Sequence, residues 1–144
     1  MKYVVFGGVL LWVLTSPIAS FAQTGVTPVA GTSLGSVTLP KRVLADGQPL
    51  APGTYQLRLS AEELKPVVGQ SPDGSRYVEF VKAGKVVGRE VATVVSSTDM
   101  ATIAKWRKPG LNRARVETLK GAEYLRVWVN RSGTNYLIHL PPAA

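Results

Sequence analysis

From Ser36 onward, apolar residues alternate with polar ones in short runs, and Gly, Pro, Asn or Asp separates the runs. Thr54-Tyr55-Gln56-Leu57-Arg58-Leu59 shows the pattern most simply. Tyr55, Leu57 and Leu59 fall on one face and Gln56 and Arg58 on the other, because a strand side chain changes face at every residue. Residues 123–131 and 134–140 flank Ser132-Gly133, and a two-residue loop there pairs Val129 with Tyr136, Trp128 with Leu137, Val127 with Ile138 and Arg126 with His139. Leu125, Val127, Val129, Tyr136, Ile138 and Leu140 then form one apolar face. Tyr124, Arg126, Trp128, Leu137 and His139 form a mixed, semi-exposed one.

The same reasoning predicts strands over residues 36–44, with Pro40 at an edge or bulge, and over 76–82, 85–96, 102–108 and 113–119. A two-residue Ala83-Gly84 loop would place Tyr77 opposite Glu90, Val78 opposite Arg89 and Val81 opposite Val86. Asp46-Gly47, Pro52-Gly53 and Ser71-Pro72-Asp73-Gly74 read as turns. Helix signals gather only at residues 61–64, where Ser60 would cap a single turn with Glu63 three residues on. About seven or eight strands at this spacing predict an all-β domain over residues 36–144. The expected form is an antiparallel sandwich, with a small β-barrel as the alternative.

The N-terminus follows a different rule. Lys2 precedes an uncharged apolar run from Tyr3 to Leu14, Pro17 breaks it, and Ser20-Phe21-Ala22 offers small residues to a signal peptidase. Residues 1–22 are therefore expected to be a cleaved signal peptide, with an uncleaved anchor as the alternative, and residues 23–35 a flexible leader. The expected location is periplasmic or extracellular, and no later run is long enough to span a bilayer.

Composition removes several chemistries. The chain has no cysteine, so neither disulfides nor thiol catalysis are open to it. His139 is its one histidine, and in the hairpin register it faces the cation Arg126. Gly31-Thr32-Ser33-Leu34-Gly35 has the spacing of a hydrolase nucleophile elbow, but that device needs a buried strand before the serine and a helix after it. Glu79 and Glu90 lie on neighbouring strands, yet the register offsets them by two residues and does not set them face to face, so no carboxylate pair is expected. Asn130-Arg131-Ser132 matches a glycosylation sequon. No catalytic residue, metal site or cofactor is expected.

In a chain of formal charge +8, the five cations Lys105, Arg107, Lys108, Arg113 and Arg115 cluster with Trp106 in a run where no acid intervenes. Read as two arms of a hairpin, residues 105–115 gather these groups at one end of the domain. There they would attract a polyanion, and Trp106 could stack on a ring. Cations also protect edge strands from pairing, which needs no ligand.

Gln48-Pro49-Leu50-Ala51-Pro52-Gly53-Thr54-Tyr55-Gln56-Leu57 resembles the strand opening of many small exported bacterial β-sandwich proteins. It is similar, more distantly, to openings in carboxypeptidase-regulatory-like and transthyretin-like modules. The resemblance implies an exported sandwich with a binding or structural role, its glycine turning sharply and its tyrosine anchoring a core strand. It brings no catalytic residue. The expected function is a non-catalytic accessory or interaction module of the cell envelope. The alternatives are a binder of anionic glycan, lipid head groups or extracellular polyanion through residues 105–115, and a small carbohydrate-active enzyme. An acidic envelope protein is a further possible partner, intracellular nucleic acid is not, and the oligomeric state is open.

Overall fold

The computed structural model describes residues 31–65, 68, 74–104, 107–121 and 123–144. The expected signal peptide, most of the expected leader, part of the 71–74 turn, Lys105 and Trp106 lie outside the described residues. The all-β expectation holds. Seven strands form one antiparallel sheet: β1 (Ser33–Leu39), β4 (Gly53–Leu59), β5 (Ser75–Lys82), β6 (Lys85–Val95), β9 (Thr134–Leu140), β8 (Leu125–Arg131) and β7 (Arg113–Thr118), in that spatial order. The end strands β1 and β7 approach each other without a hydrogen-bonded ladder among the described residues, so the sheet is nearly closed into a barrel. Of the two architectures that periodicity leaves open, the barrel describes this sheet.

Closure brings the inward side chains into one core. Leu57, Val78, Phe80, Val127, Ile138 and Leu140 are at most 1 % exposed, and they come from four strands. The β8–β9 register is the expected one at every pair, and all six residues of the expected apolar face are buried. Ser132 and Gly133 both adopt positive φ, as a two-residue hairpin turn matching the sheet twist requires.

A small second sheet, β2 (Val43–Ala45) with β3 (Gln48–Leu50), turns at Asp46-Gly47 and packs on β6. The single strand expected over residues 36–44 is therefore two strands, because Pro40 ends β1 instead of sitting within it. Val43, Ala45 and Leu50 are buried, and a Cβ on Gly88 would stand 3.1 Å from Leu50 Cδ2, so glycine there permits the contact. At this level β6 has left β9. Their pairing covers only Ala92–Val95, and Glu90 holds the separation point by accepting hydrogen bonds from Val91 N at 2.9 Å and Asp46 N at 2.7 Å.

Other expectations need correction. β1 begins at Ser33, inside the segment expected to be a flexible leader, and Gly31 N bonds Leu59 O at 2.8 Å. The Gly31–Gly35 motif is therefore an edge-strand opening with no helix after it. In the β5–β6 hairpin, Val81 faces Val86 as expected. A bulge at Val87 then shifts the register by one, so Tyr77 faces Val91, Val78 faces Glu90 and Glu79 faces Arg89. Residues 61–64 make no helix; Ser60 Oγ instead accepts from Glu62 N at 3.1 Å. The helix of the described residues is α1 (Ser97–Ile103), which replaces the first part of the strand expected over residues 102–108. No helix among the described residues is long and apolar enough to cross a membrane.

Candidate functional site

The chain must pass β9 and β8 to travel from β6 to β7. Residues 96–112 make that passage; of the cations singled out by the sequence, Arg107 and Lys108 lie on it, and Arg113 and Arg115 lie on β7 directly after it. Ser96 caps α1, its hydroxyl accepting from Asp99 N at 3.1 Å and donating to Asp99 Oδ2 at 2.7 Å. The Ser97 hydroxyl donates to Gly133 O and ties the helix start to the β8–β9 turn. α1 rests against β9 and buries Met100.

Four further bonds fix the segment after the helix. Arg107 N donates to Ala104 O at 3.2 Å, and Arg115 Nη1 donates to Arg107 O at 3.2 Å. Asn130 Nδ2 donates to the carbonyl of the buried Pro109 at 3.1 Å. Asn112 stands at φ 57, a conformation asparagine tolerates better than most residues, and its Oδ1 accepts from Ser132 N at 2.9 Å. Three of the four run between this segment and β7 or the β8–β9 hairpin, so the cations ride on a pinned strap.

Beneath the strap lies a polar layer that strand alternation alone did not reveal. Arg113, Arg115 and Glu117 occupy the outer face of β7, opposite Asn130, Trp128 and Arg126. Trp128 was expected on a semi-exposed face, yet it is 2 % exposed and its Nε1 donates to Asn135 Oδ1 at 2.9 Å. Asn135 is buried, and so is Asn130, directly opposite it. An asparagine held this way does not present its amide for glycosylation in the folded protein.

Arg107, Lys108, Arg113 and Arg115 are all exposed. They are not two arms of a hairpin, because β7 pairs with β8 and the preceding residues are α1 and loop. Arg115 Nε lies 3.9 Å from Glu117, whose carboxylate is held at 3.2 Å by Arg126. Among the described residues no carboxylate comes within 4 Å of Arg107, Lys108 or Arg113. The other guanidiniums that are paired serve the fold elsewhere: Arg58 meets Glu79 at 2.5 Å, and Arg89 is held by Glu62 with Asp46 at 3.7 Å. The strap and the first residue of β7 thus carry three cations with no carboxylate within 4 Å among the described residues.

His139 lies beside this site in the Glu117–Arg126 row, and Arg126 Nε donates to its Nε2 at 3.3 Å. Desolvation on the sheet, and then the Arg126 charge, hold its pKa below the usual 6.5. The unfolded chain therefore takes up the proton first as pH falls, so the stability contributed by neutral His139 is complete above 6.5 and declines below it. An NMR titration is expected to give a midpoint under 6.5, with Arg126→Met raising it only part of the way, because burial is the larger cause.

Among the described residues no three His, Cys, Asp or Glu side chains converge as a metal site would require. Glu79 and Glu90 occupy opposite faces of the sheet, each engaged as described above. A groove of about 460 Å³ lies between the β2–β3 turn and β6, but its charged residues, Asp46 and Arg89, already face each other. Comparison with protein-family models, with curated proteins and with solved structures finds no match for this chain.

Proposed function

We propose that this is an exported, non-catalytic binding module of the cell envelope, and that it takes an anionic polymer or surface on Arg107, Lys108, Arg113 and Arg115. The observation that carries the reading is the strap. Side-chain bonds from Asn130, Asn112 and Arg115 fix the backbone around Arg107, Lys108 and Arg113, which have no carboxylate within 4 Å among the described residues. A fixed array of guanidiniums suits phosphate, sulfate or carboxylate groups, which they can grip through paired N–H donors. Lys105 and Trp106 belong to the same run of sequence and would extend the array.

A second reading has its own support. β7 is an end strand without a ladder on its β1 side, and cations on such a strand discourage edge-to-edge association. Retention on heparin across a salt series separates the two. Under the binding reading, log affinity falls linearly with log salt. The Arg107→Gln/Lys108→Gln/Arg113→Gln variant then loses about 10- to 100-fold in affinity, and its salt slope shrinks by about 2–3. Retention equal to that of the native protein would leave only the edge-protecting role.

A further inference from the structure

The strap exposes more than charge. Leu111 is 65 % exposed and Ile103 is 74 % exposed, whereas alternation hides most aliphatic side chains of the sheet. Leu111 is a central residue of the tight turn closed by Arg113 N and Gly110 O at 3.1 Å, so it stands at the turn apex between Lys108 and Arg113. Ile103 ends α1 beside Ala104, whose carbonyl accepts the Arg107 amide. Two aliphatic tips thus protrude among exposed cations on one pinned segment. Binding a soluble polyanion gives no reason for these tips, since such a ligand offers them no apolar phase. A bilayer interface does: anionic head groups attract the cations, and the aliphatic tips enter the boundary with the acyl chains. The long Arg and Lys stems can lie along that boundary with their charged ends in the head-group layer.

We infer that the ligand of the strap is the surface of an anionic lipid bilayer, with Leu111 and Ile103 as its shallow insertion points. This rests on the anion-binding reading above and narrows it to one kind of surface. The test uses the protein in the processed form its host leaves, so that every variant shares one N-terminus. Sedimentation with phosphatidylcholine vesicles, with and without phosphatidylglycerol, is run beside heparin retention. The native protein is expected to bind the anionic vesicles and not the neutral ones. Ile103→Ser/Leu111→Ser is expected to weaken vesicle binding about tenfold or more, while heparin retention stays unchanged. Both side chains are exposed, so thermal melting should be unaltered. As a second readout, Leu111→Trp should show emission quenched by brominated acyl chains beyond that of the native tryptophans.

Unchanged vesicle binding by the serine variant, or no added quenching, would overturn the bilayer assignment. Retained heparin binding would then keep the broader reading. Failure to bind either heparin or anionic vesicles would remove both.

Discussion

Replacing Trp128 by alanine is expected to cost about 3–5 kcal/mol of stability and to weaken anion binding, although the change removes no charge. Trp128 lies under the strap, almost wholly buried, on the outward side of β8. Its loss leaves a void where α1 and the following loop cross the sheet, and it strands Asn135 Oδ1, which would then lack its indole donor. A buried polar group without a partner costs about 1–3 kcal/mol. Trp128→Phe retains much of the volume and loses only that donor, so it should sit near this lower figure. Thermal denaturation measures the stability change, and heparin retention measures the functional one. If the strap positions its cations, affinity falls with Trp128→Ala by several-fold even for the folded fraction. Affinity that follows net charge alone would show that the cations act as a diffuse field, with no defined geometry.

The burial of Trp128 also bears on why the candidate site was only half legible in the sequence. Cations stand out in a sequence because charge needs no context, and Arg107, Lys108, Arg113 and Arg115 are exposed as read. What holds them was hidden. Asn130, Asn112 and Ser97 act on chain segments 20 to 36 residues away, and no local spacing encodes a hydrogen bond across that distance. One local signal was present: Ser96 and Asp99 have the spacing of a helix cap. Two apolar residues, Met100 and Ile103, make too weak an amphipathic pattern to overrule a β reading of the flanking valines and threonines.

The fold divides along the same line. β8 and β9 are joined by two residues, so turn geometry and alternation fix their register together, and every pair was legible. The β5–β6 turn has the same form, but Val86-Val87 interrupts the alternation, and the inserted residue shifts each pair beyond it. At residues 61–64 the cap signals were real but local. So short a segment gains too few intrahelical bonds to offset nucleation, and Glu62 instead reaches Arg89. Barrel closure was not legible, since alternation states which face of each strand is apolar and leaves the spatial order open.

Phe80→Ala should remove as much stability as Trp128→Ala and leave the site intact. Phe80 is completely buried at the centre of β5, and its ring meets Tyr55 edge-on at 6.1 Å and 82°. Its neighbour across the ladder is Gly88, which has no side chain to fill the space a truncation leaves. The expected loss is about 3–5 kcal/mol, a large part of the 5–15 kcal/mol typical of a whole domain. In urea the midpoint should fall while the slope stays unchanged, since the unfolded chain exposes nearly the same surface. Phe80 lies on the inner face of the sheet, away from the strap on the outer face of β8 and β9. Heparin affinity of the folded fraction should therefore equal that of the native protein. The contrast with Trp128→Ala is informative because two variants of similar stability would then differ in binding. Instability can be excluded as the cause of that difference, which leaves the seating of the strap on the sheet. A parallel loss of affinity in Phe80→Ala would instead mean that binding reads the integrity of the whole barrel.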